Sequence, residues 1–242
     1  ECTAINSLPF FEDFDNYPSY SNYNGSNPFI PCWTRLNNGG PQYSGIPHVS
    51  SNGNHTPHGS KCISWMNCMI DVYGDYMYMI LPEIDTSALP INTLQLSLWA
   101  KSQYVNYRVS LEVGVMEDNN DTTFWRIDTI GIFGNTDWKK YIIDFDQYIG
   151  PARFIAIRAL RSETSTVLID DITLDRIPLC PRVENLNAII PMHTSAVISW
   201  SDSSGNTGWN VEYDTVEFEP GTGYMTAMHV TDTFCTITGL TT

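Results

Sequence analysis

Short segments in which apolar and polar residues alternate, separated by turn residues, constrain the fold of this chain more than any other feature. Residues 76–81 and 94–100 alternate in this way, and residues 108–115 place four aliphatic side chains on one face. A period of two residues is typical of a β-strand with one buried face. Further segments of this kind are residues 124–127, 140–145 and 153–159. Many short strands with turns between them predict an all-β fold, either a two-sheet sandwich or a jelly roll.

The charge balance excludes some classes of partner. Acidic residues number 27 and basic residues 12, which gives a formal charge of −15, and the basic residues form no cluster. Nucleic acid and anionic membrane surfaces are therefore not expected as partners. No apolar run approaches the roughly 18–20 residues that cross a bilayer, so membrane insertion is not expected. The negative charge favours a divalent cation, although it also suits a secreted protein that must stay soluble.

Two acidic stretches have no basic neighbour in the sequence. One is the Asp13–Asp15 stretch beside an early strand, and the other is the Asp170-Asp171 pair within the aliphatic run 167–174. We predict that the first and last strands of one sandwich meet here and that some of these carboxylates share a Ca²⁺ ion, which takes six to eight oxygen ligands. The alternative is that the acids cap turns by accepting hydrogen bonds from backbone amides.

Prolines interrupt the strand pattern at residues 178 and 181, and proline cannot donate a hydrogen bond to a sheet. A domain boundary is therefore predicted near Ile177, with domains at residues 1–176 and 177–242. The second domain contains further strand-like segments at residues 196–200, 208–213 and 234–240.

Six motifs occur in order along the first domain: PFFEDFD at 9–15, PCWT at 31–34, LPEID at 81–85, LQLSLWAK at 94–101, LEVGVM at 111–116 and IDDI at 169–172. Over residues 8–176 they resemble the MAM-like jelly-roll domains of Bacteroidetes surface proteins. This group includes the choice-of-anchor J and cleaved adhesin domains of gingipain and haemagglutinin proteins. The resemblance implies a jelly-roll β-sandwich that serves adhesion or supports attached catalytic domains.

The region from Cys180 onward resembles a fibronectin type III domain. Trp200 matches the core tryptophan of its second strand, Tyr213 matches the aromatic residue of its third, and residues 237–242 resemble the turn before its sixth strand. Such a sandwich needs roughly 100 residues, whereas about 63 are present from Cys180 onward. We therefore expect a partial fibronectin type III-like sandwich that belongs to a larger multidomain chain.

The same resemblance implies a structural calcium site. In similar jelly-roll modules, an acid of the first strand, a carbonyl group of the loop before the third strand and an acid of the last strand hold the ion. The family usually has glutamate at the position of Asp15. The implied positions here are Asp13, Asp15, His58 and Lys61 within the loop 57–61, Asp170 and Asp171.

The six cysteines include no CxxC pair and have no histidine at zinc-finger spacing, so disulfides are favoured over a metal cluster. Disulfides imply an oxidising compartment, and we expect an extracellular or cell-surface protein. The order of Cys2 and Cys32 resembles the first disulfide of MAM domains, which implies a Cys2–Cys32 pair. A Cys62–Cys68 disulfide is plausible across a tight hairpin. The other two cysteines are expected to be free.

Aromatic residues are numerous enough to form a platform on which sugar rings stack. Tyr104 and Tyr107, in a polar loop, are the members most expected to be exposed. The alternative is that the aromatic residues of the strands simply pack in the core. The platform candidates are Tyr73, Tyr76, Tyr78, Trp99, Tyr104, Tyr107, Trp125 and Trp138.

Catalysis is not expected, because the sequence has no GxSxG, HExxH or Cys–His signature. A glycosidase would need two carboxyl groups across a cleft, and the glutamates show no clustered pattern. We therefore predict a non-catalytic binding or adhesion module that contacts a host or matrix protein or a glycan. The alternative is a carbohydrate-binding or stabilising accessory module of a larger secreted glycosidase or peptidase.

Overall fold

The computed structural model describes residues 2–20, 27–37, 45–67, 76–105, 108–120, 123–134, 136–159, 165–179, 183–192, 194–202, 205–213 and 228–240. The chain divides into two compact units, Glu1–Ile177 and Pro178–Thr242. This division lies one residue from the boundary placed after residue 176. None of the helical segments in the described ranges has the length and apolar character needed to span a membrane.

The first unit consists of β-strands, together with a short 3₁₀ turn at Ile91–Thr93, and the predicted all-β class is confirmed. The strands are β1 (Phe10–Glu12), β2 (Thr34–Asn37), β3 (His48–Ser50), β4 (Cys62–Asn67), β5 (Met77–Ile80), β6 (Leu94–Ser102), β7 (Arg108–Met116), β8 (Trp125–Phe133), β9 (Lys139–Asp144), β10 (Phe154–Ala159) and β11 (Ser165–Arg176). Neighbouring strands run antiparallel.

These strands form two sheets. The six-stranded sheet has the order β3-β4-β11-β6-β9, with β1 also paired to β11, and the five-stranded sheet has the order β2-β5-β10-β7-β8. Consecutive residues of a strand point to opposite faces of its sheet. In β4, Ile63 and Trp65 therefore enter the core between the sheets, whereas Ser64 lies on the outer face. This alternation creates the outer face on which the candidate site is built.

The core between the sheets is a continuous apolar cluster, with fully buried residues from both sides. The six-stranded sheet contributes residues such as Trp65, Leu96 and Leu98, and the five-stranded sheet contributes Val113 and Ile157. Burying a side chain of this size stabilises the fold by about 1.5–3 kcal/mol. The sandwich is therefore a rigid scaffold for the side chains on its outer faces.

The outer face of the five-stranded sheet holds a buried ion pair. Glu112 is 3% exposed, and it accepts hydrogen bonds from Arg158 at 2.6 Å and Arg126 at 3.1 Å. The Arg158 guanidinium lies 3.8 Å from the ring centre of Tyr76 and 3.9 Å from that of Phe124. These aromatic rings therefore pack around a cation of the protein itself.

The second unit contains β12 (Glu184–Met192), β13 (Ser195–Ser201), β14 (Trp209–Val211), β15 (Met228–Val230) and β16 (Phe234–Thr238). A three-stranded sheet has the order β12-β13-β16, and β14 pairs with β15. Trp200 lies on the second of these strands and packs against Trp209, with 5.7 Å between ring centres. The fibronectin type III-like assignment of this unit stays a prediction.

Candidate functional site

The two acidic stretches lie at the same place in the fold. β1 pairs with β11 so that Glu12 lies opposite Ile172, which brings the residues after β1 close to the middle of β11. The prediction that the first and last strands of the sandwich meet is confirmed. Residues 54–61 lie between β3 and β4, and we call them the clamped loop. Carboxylates of both acidic stretches accept hydrogen bonds from its backbone amides.

Asp170 is a buried acceptor for three backbone amides. One carboxylate oxygen accepts hydrogen bonds from the His55 amide at 2.6 Å and the Thr56 amide at 3.4 Å, and the other accepts one from the Asp171 amide at 2.9 Å. Burial raises the pKa of Asp170 to about 6, although the hydrogen bonds from His55 and Asp171 oppose this effect. Asp170 therefore fixes the start of the clamped loop on the sheet.

Asp171 also contacts the clamped loop, because β11 has a register irregularity at this point and Asp171 has a φ of 48°. Its carboxylate lies 2.5 Å from Nδ1 of His55 and accepts a hydrogen bond from the Thr56 hydroxyl at 2.6 Å. The His55 ring stacks on Trp99, with 3.9 Å between ring centres. Consecutive residues of a regular strand would point to opposite faces, so the irregularity lets both acids hold one loop.

Asp15 holds the other end of the clamped loop. Its Oδ1 accepts hydrogen bonds from the amides of Ser60 at 2.7 Å and Lys61 at 2.9 Å. The Lys61 ammonium group donates to the Asp15 carbonyl oxygen at 2.6 Å. Asp13 contributes indirectly, since its carboxylate accepts a hydrogen bond from the Asp15 amide at 3.1 Å.

These contacts correct part of the predicted ligand set. The loop was expected to supply carbonyl oxygens as ligands. Instead, its backbone amides and the Lys61 ammonium group donate hydrogen bonds to Asp15, as in the capping alternative. His58 is exposed and has a φ of 65°, whereas His55 is the histidine that contacts the acids. The two histidines lie in one polar loop, and no local pattern distinguishes them. Only the folded path of the loop selects His55.

Two oxygen atoms of this region are still suited to a cation. A Cβ atom at Gly59 would clash with both Asp15 Oδ2 and Asn54 Oδ1, so these oxygens converge on one point beside Gly59. Asn54 Oδ1 is buried and has no hydrogen-bond partner among the described residues, while the Asn54 amide nitrogen donates to the Thr56 carbonyl at 2.6 Å. Carboxylate and amide oxygens are ligands that Ca²⁺ prefers. In the described ranges, no three His, Cys, Asp or Glu side chains form a metal-binding group.

The cysteines agree with one predicted pair and disagree with the other. A disulfide joins Cys2 and Cys32, with 5.3 Å between their Cα atoms. The predicted Cys62–Cys68 disulfide is wrong, because Cys62 is a free, buried thiol on the sheet beneath the loop. Burial raises the pKa of this thiol to about 12, which makes it unreactive. Cys68 lies outside the described residues.

The predicted aromatic platform does not form one surface. Tyr78 is 2% exposed and packs beside Arg158 on the five-stranded sheet, whereas Trp99 lies under His55 on the other sheet. Trp138 donates a hydrogen bond from its ring nitrogen to the Asn54 carbonyl at 3.0 Å, and thereby covers part of the outer face with the clamped loop. Trp125 is 66% exposed on edge strand β8. Tyr73 and Tyr107 lie outside the described residues.

Tyr104 is 50% exposed and borders a cleft of about 410 Å³ on the part of the six-stranded sheet that the clamped loop leaves open. We call this cavity the polar cleft. Its volume is within the range of small-molecule binding sites. The residues that form the floor of this cleft were not predicted from the sequence, although strand alternation places them on the face of the sheet that points away from the core. The side chains that line it include Tyr20, His48, Ser64, Gln103, Tyr104 and Thr166.

Neither a protein-family model nor a curated protein sequence matches the chain. The solved structures with a similar fold include two cleaved adhesin domains. The K1 cleaved adhesin domain of Lys-gingipain from Porphyromonas gingivalis is 15% identical, with a TM-score of 0.51, and the match covers 71% of this chain and 100% of that domain. The K2 cleaved adhesin domain of Lys-gingipain is 14% identical, with a TM-score of 0.50 and coverage of 69% and 99%.

At these identities the likeness establishes the architecture, and the two antiparallel sheets of the first unit agree with it. Two of the motifs that predicted the architecture lie on strands of the six-stranded sheet: IDDI at 169–172 is part of β11, and LQLSLWAK at 94–101 is part of β6. The chain therefore contains a jelly-roll β-sandwich of the kind found in the cleaved adhesin domains.

Proposed function

We propose that the first unit is a non-catalytic binding module of an extracellular or cell-surface protein, and that its ligand binds in the polar cleft. The observation that carries this proposal is the cleft itself, which has a floor of nearly buried polar side chains on a packed sheet. Side chains held on rigid strands position a ligand more accurately than side chains on loops. The scaffold is therefore suited to binding a ligand without a conformational change.

The chemistry of the cleft supports binding over hydrolysis. The described side chains that line it include no carboxylate, whereas glycoside hydrolysis needs two carboxyl groups placed across the substrate. The carboxylates of Asp15, Asp170 and Asp171 are instead committed to holding the clamped loop. These carboxylates therefore stabilise the scaffold, whereas the ligand binds in the cleft.

The compartment and partner follow from the same features. The Cys2–Cys32 disulfide is stable in an oxidising environment, which supports a secreted or surface location. The partner class is a host or matrix protein or a glycan. A role as accessory module of a larger secreted glycosidase or peptidase is the second candidate. The polar lining of the cleft favours it, because an accessory module would bind a glycan there and present it to an attached enzyme.

The proposal is tested by filling the cleft. A Ser64→Phe variant adds a ring to the cleft floor, and a Thr129→Phe variant adds the same ring on strand β8 of the other sheet. Binding is measured on a glycan array and on immobilised fibrinogen. We expect the unmodified protein to bind at least one probe, Ser64→Phe to weaken that binding at least tenfold, and Thr129→Phe to leave it unchanged. Equal binding by a folded Ser64→Phe variant would refute the proposal.

We further propose that a structural Ca²⁺ ion binds beside Gly59, with Asp15 and Asn54 among its ligands. The support is the convergence of the Asp15 and Asn54 side-chain oxygens and the buried, unpartnered state of Asn54 Oδ1. A bound divalent cation would neutralise the Asp15 carboxylate and satisfy the Asn54 oxygen. Asp170 and Asp171, whose oxygens already accept hydrogen bonds from the loop, would support the site from beneath.

We expect calcium to raise the melting temperature of the EDTA-treated protein by about 3–6 °C at ten times the dissociation constant. Ligand binding at that ratio contributes about 1.4 kcal/mol, and each kcal/mol shifts the melting temperature of a protein of this size by about 2–4 °C. Calorimetry with CaCl₂, and with MgCl₂ as the control ion, measures the shift.

An Asp15→Asn variant keeps an acceptor oxygen for the Ser60 and Lys61 amides but removes the charge. It is expected to lose the calcium response. Asp85→Asn is the matched control, because Asp85 lies outside the clamped loop and caps another turn by accepting a hydrogen bond from the Ser87 amide. The calcium proposal fails if the protein shows no calcium response, or if Asp15→Asn responds as strongly as Asp85→Asn.

A further inference from the structure

The described residues that line the polar cleft carry no formal charge, although the chain contains 27 acidic and 12 basic residues. The described lining side chains offer hydroxyl, amide, imidazole and phenol groups. In a chain with a net charge of −15, the absence of carboxylates and ammonium groups among the described lining residues bears directly on the kind of ligand that fits.

His48 does not supply a charge at neutral pH. It is 5% exposed, and burial together with the nearby Arg35 guanidinium lowers its pKa to about 4. Arg35 itself is held by the carbonyl oxygens of Asn27, Gly45 and Pro47, at 3.0 to 3.2 Å. A neutral imidazole has one donor and one acceptor nitrogen, and Nδ1 of His48 is buried, so at most one ring nitrogen of His48 faces the cleft.

The floor of the cleft disfavours apolar and charged ligands. Ser64 and Thr166 are 4% and 7% exposed, and both line the cleft with hydroxyl-bearing side chains. An apolar ligand would remove water from these hydroxyls without replacing its hydrogen bonds, which costs about 1–3 kcal/mol for each group. A charged ligand would lose its hydration without finding an opposite charge among the described lining residues. A ligand rich in hydroxyl groups avoids both costs.

Two tyrosines border the cleft and offer apolar faces to such a ligand. Tyr104 is half exposed, and its amide donates to the Ser102 hydroxyl at 3.3 Å, which fixes the end of β6. The Tyr20 amide donates to the Val49 carbonyl at 3.1 Å, which fixes the segment of Tyr20 beside β3. Aromatic rings pack well against the apolar faces of amphipathic ligands.

We propose that the polar cleft binds an uncharged sugar chain, with ring faces against Tyr20 and Tyr104 and hydroxyl groups hydrogen-bonded to Ser64, Gln103 and Thr166. This inference rests on the proposed function, because it names the ligand class of the same cleft. It selects neutral glycans over both proteins and acidic glycans.

The test uses the full chain in affinity electrophoresis with neutral polysaccharides, namely β-glucan, mannan and galactan, and with the acidic polymers heparin and polygalacturonate. Fibrinogen binding is measured in parallel. We expect at least one neutral polysaccharide to retard the protein. A Tyr104→Ala variant should weaken this binding at least tenfold, and Thr166→Val, which removes one hydroxyl with little change of shape, should weaken it about fivefold or more. Trp125→Ala is the control, since Trp125 is exposed on the other sheet.

The outcomes separate this inference from the proposed function. Retardation by acidic polymers alone would overturn the inference. Binding to fibrinogen but to no polysaccharide, with loss in Tyr104→Ala, would overturn the sugar chain as ligand and leave the cleft as the binding site. Binding that no cleft variant weakens would overturn both. Neutral-sugar binding that depends on Tyr104 and Thr166 but not on Trp125 supports both.

Discussion

Replacing Asp170 with alanine is expected to lower the free energy of unfolding of the first unit by about 3–5 kcal/mol. Asp170 is fully buried, and its carboxylate accepts hydrogen bonds from the amides of His55, Thr56 and Asp171. Each buried amide left without a partner costs about 1–3 kcal/mol. The substitution also opens a cavity beneath the clamped loop, and the loop loses its attachment to β11.

Urea unfolding followed by tryptophan fluorescence measures this effect, because Trp99 and Trp138 lie beside the clamped loop. Asp175→Ala is the matched control. Asp175 lies on the same strand, and its carboxylate accepts a hydrogen bond from the neighbouring Arg176 amide in an exposed position. We expect a change within about 0.5 kcal/mol for this surface substitution. Similar losses in the two variants would show that Asp170 does not anchor the loop.

Removing the Cys2–Cys32 disulfide is expected to lower the free energy of unfolding by about 3–4 kcal/mol. The bond closes a loop with a sequence separation of 30 residues, and the loss of chain entropy in the unfolded state predicts a value of this size. The disulfide also tethers the N-terminal segment. In that segment Ile5 exchanges backbone hydrogen bonds with Glu83 at 2.7 Å and Asp85 at 2.9 Å.

A Cys2→Ser/Cys32→Ser double variant is compared with the unmodified protein by urea unfolding, with and without dithiothreitol. The reductant should destabilise the unmodified protein to the level of the double variant and leave the double variant unchanged. Cys235→Ser serves as the control, because Cys235 is a free cysteine of the second unit. A double variant as stable as the oxidised protein would contradict the prediction.

Sequence patterns were most informative where one local rule decides the structure. The alternation in residues 94–100 and 108–115 predicted β6 and β7, because a strand buries every second side chain. The acids at 13–15 and 170–171 were placed together correctly, since the ends of a jelly-roll chain pair in one sheet.

Local patterns were less informative about the partners of individual side chains. Tyr76 precedes β5 and packs on the five-stranded sheet around Arg158, whereas Trp99 lies on β6 under His55. The choice of His55 over His58 as the histidine beside Asp171 also depended on the path of the clamped loop. Cys62 was paired with Cys68 by proximity in sequence, whereas its burial beneath the loop leaves it a free thiol.

The amino-acid sequence by itself indicated the all-β class and the meeting of the first and last strands, and its resemblance to MAM domains implied the Cys2–Cys32 pair. Only the tertiary structure decided that Asp15, Asp170 and Asp171 accept hydrogen bonds from the clamped loop, and that uncharged side chains line a cleft beside it. The physical reason is the sequence separation over which each feature is determined. The period of a strand is set by the backbone over a few residues, whereas the partner of Asp170 lies 115 positions away and is brought to it only by the packed sheets.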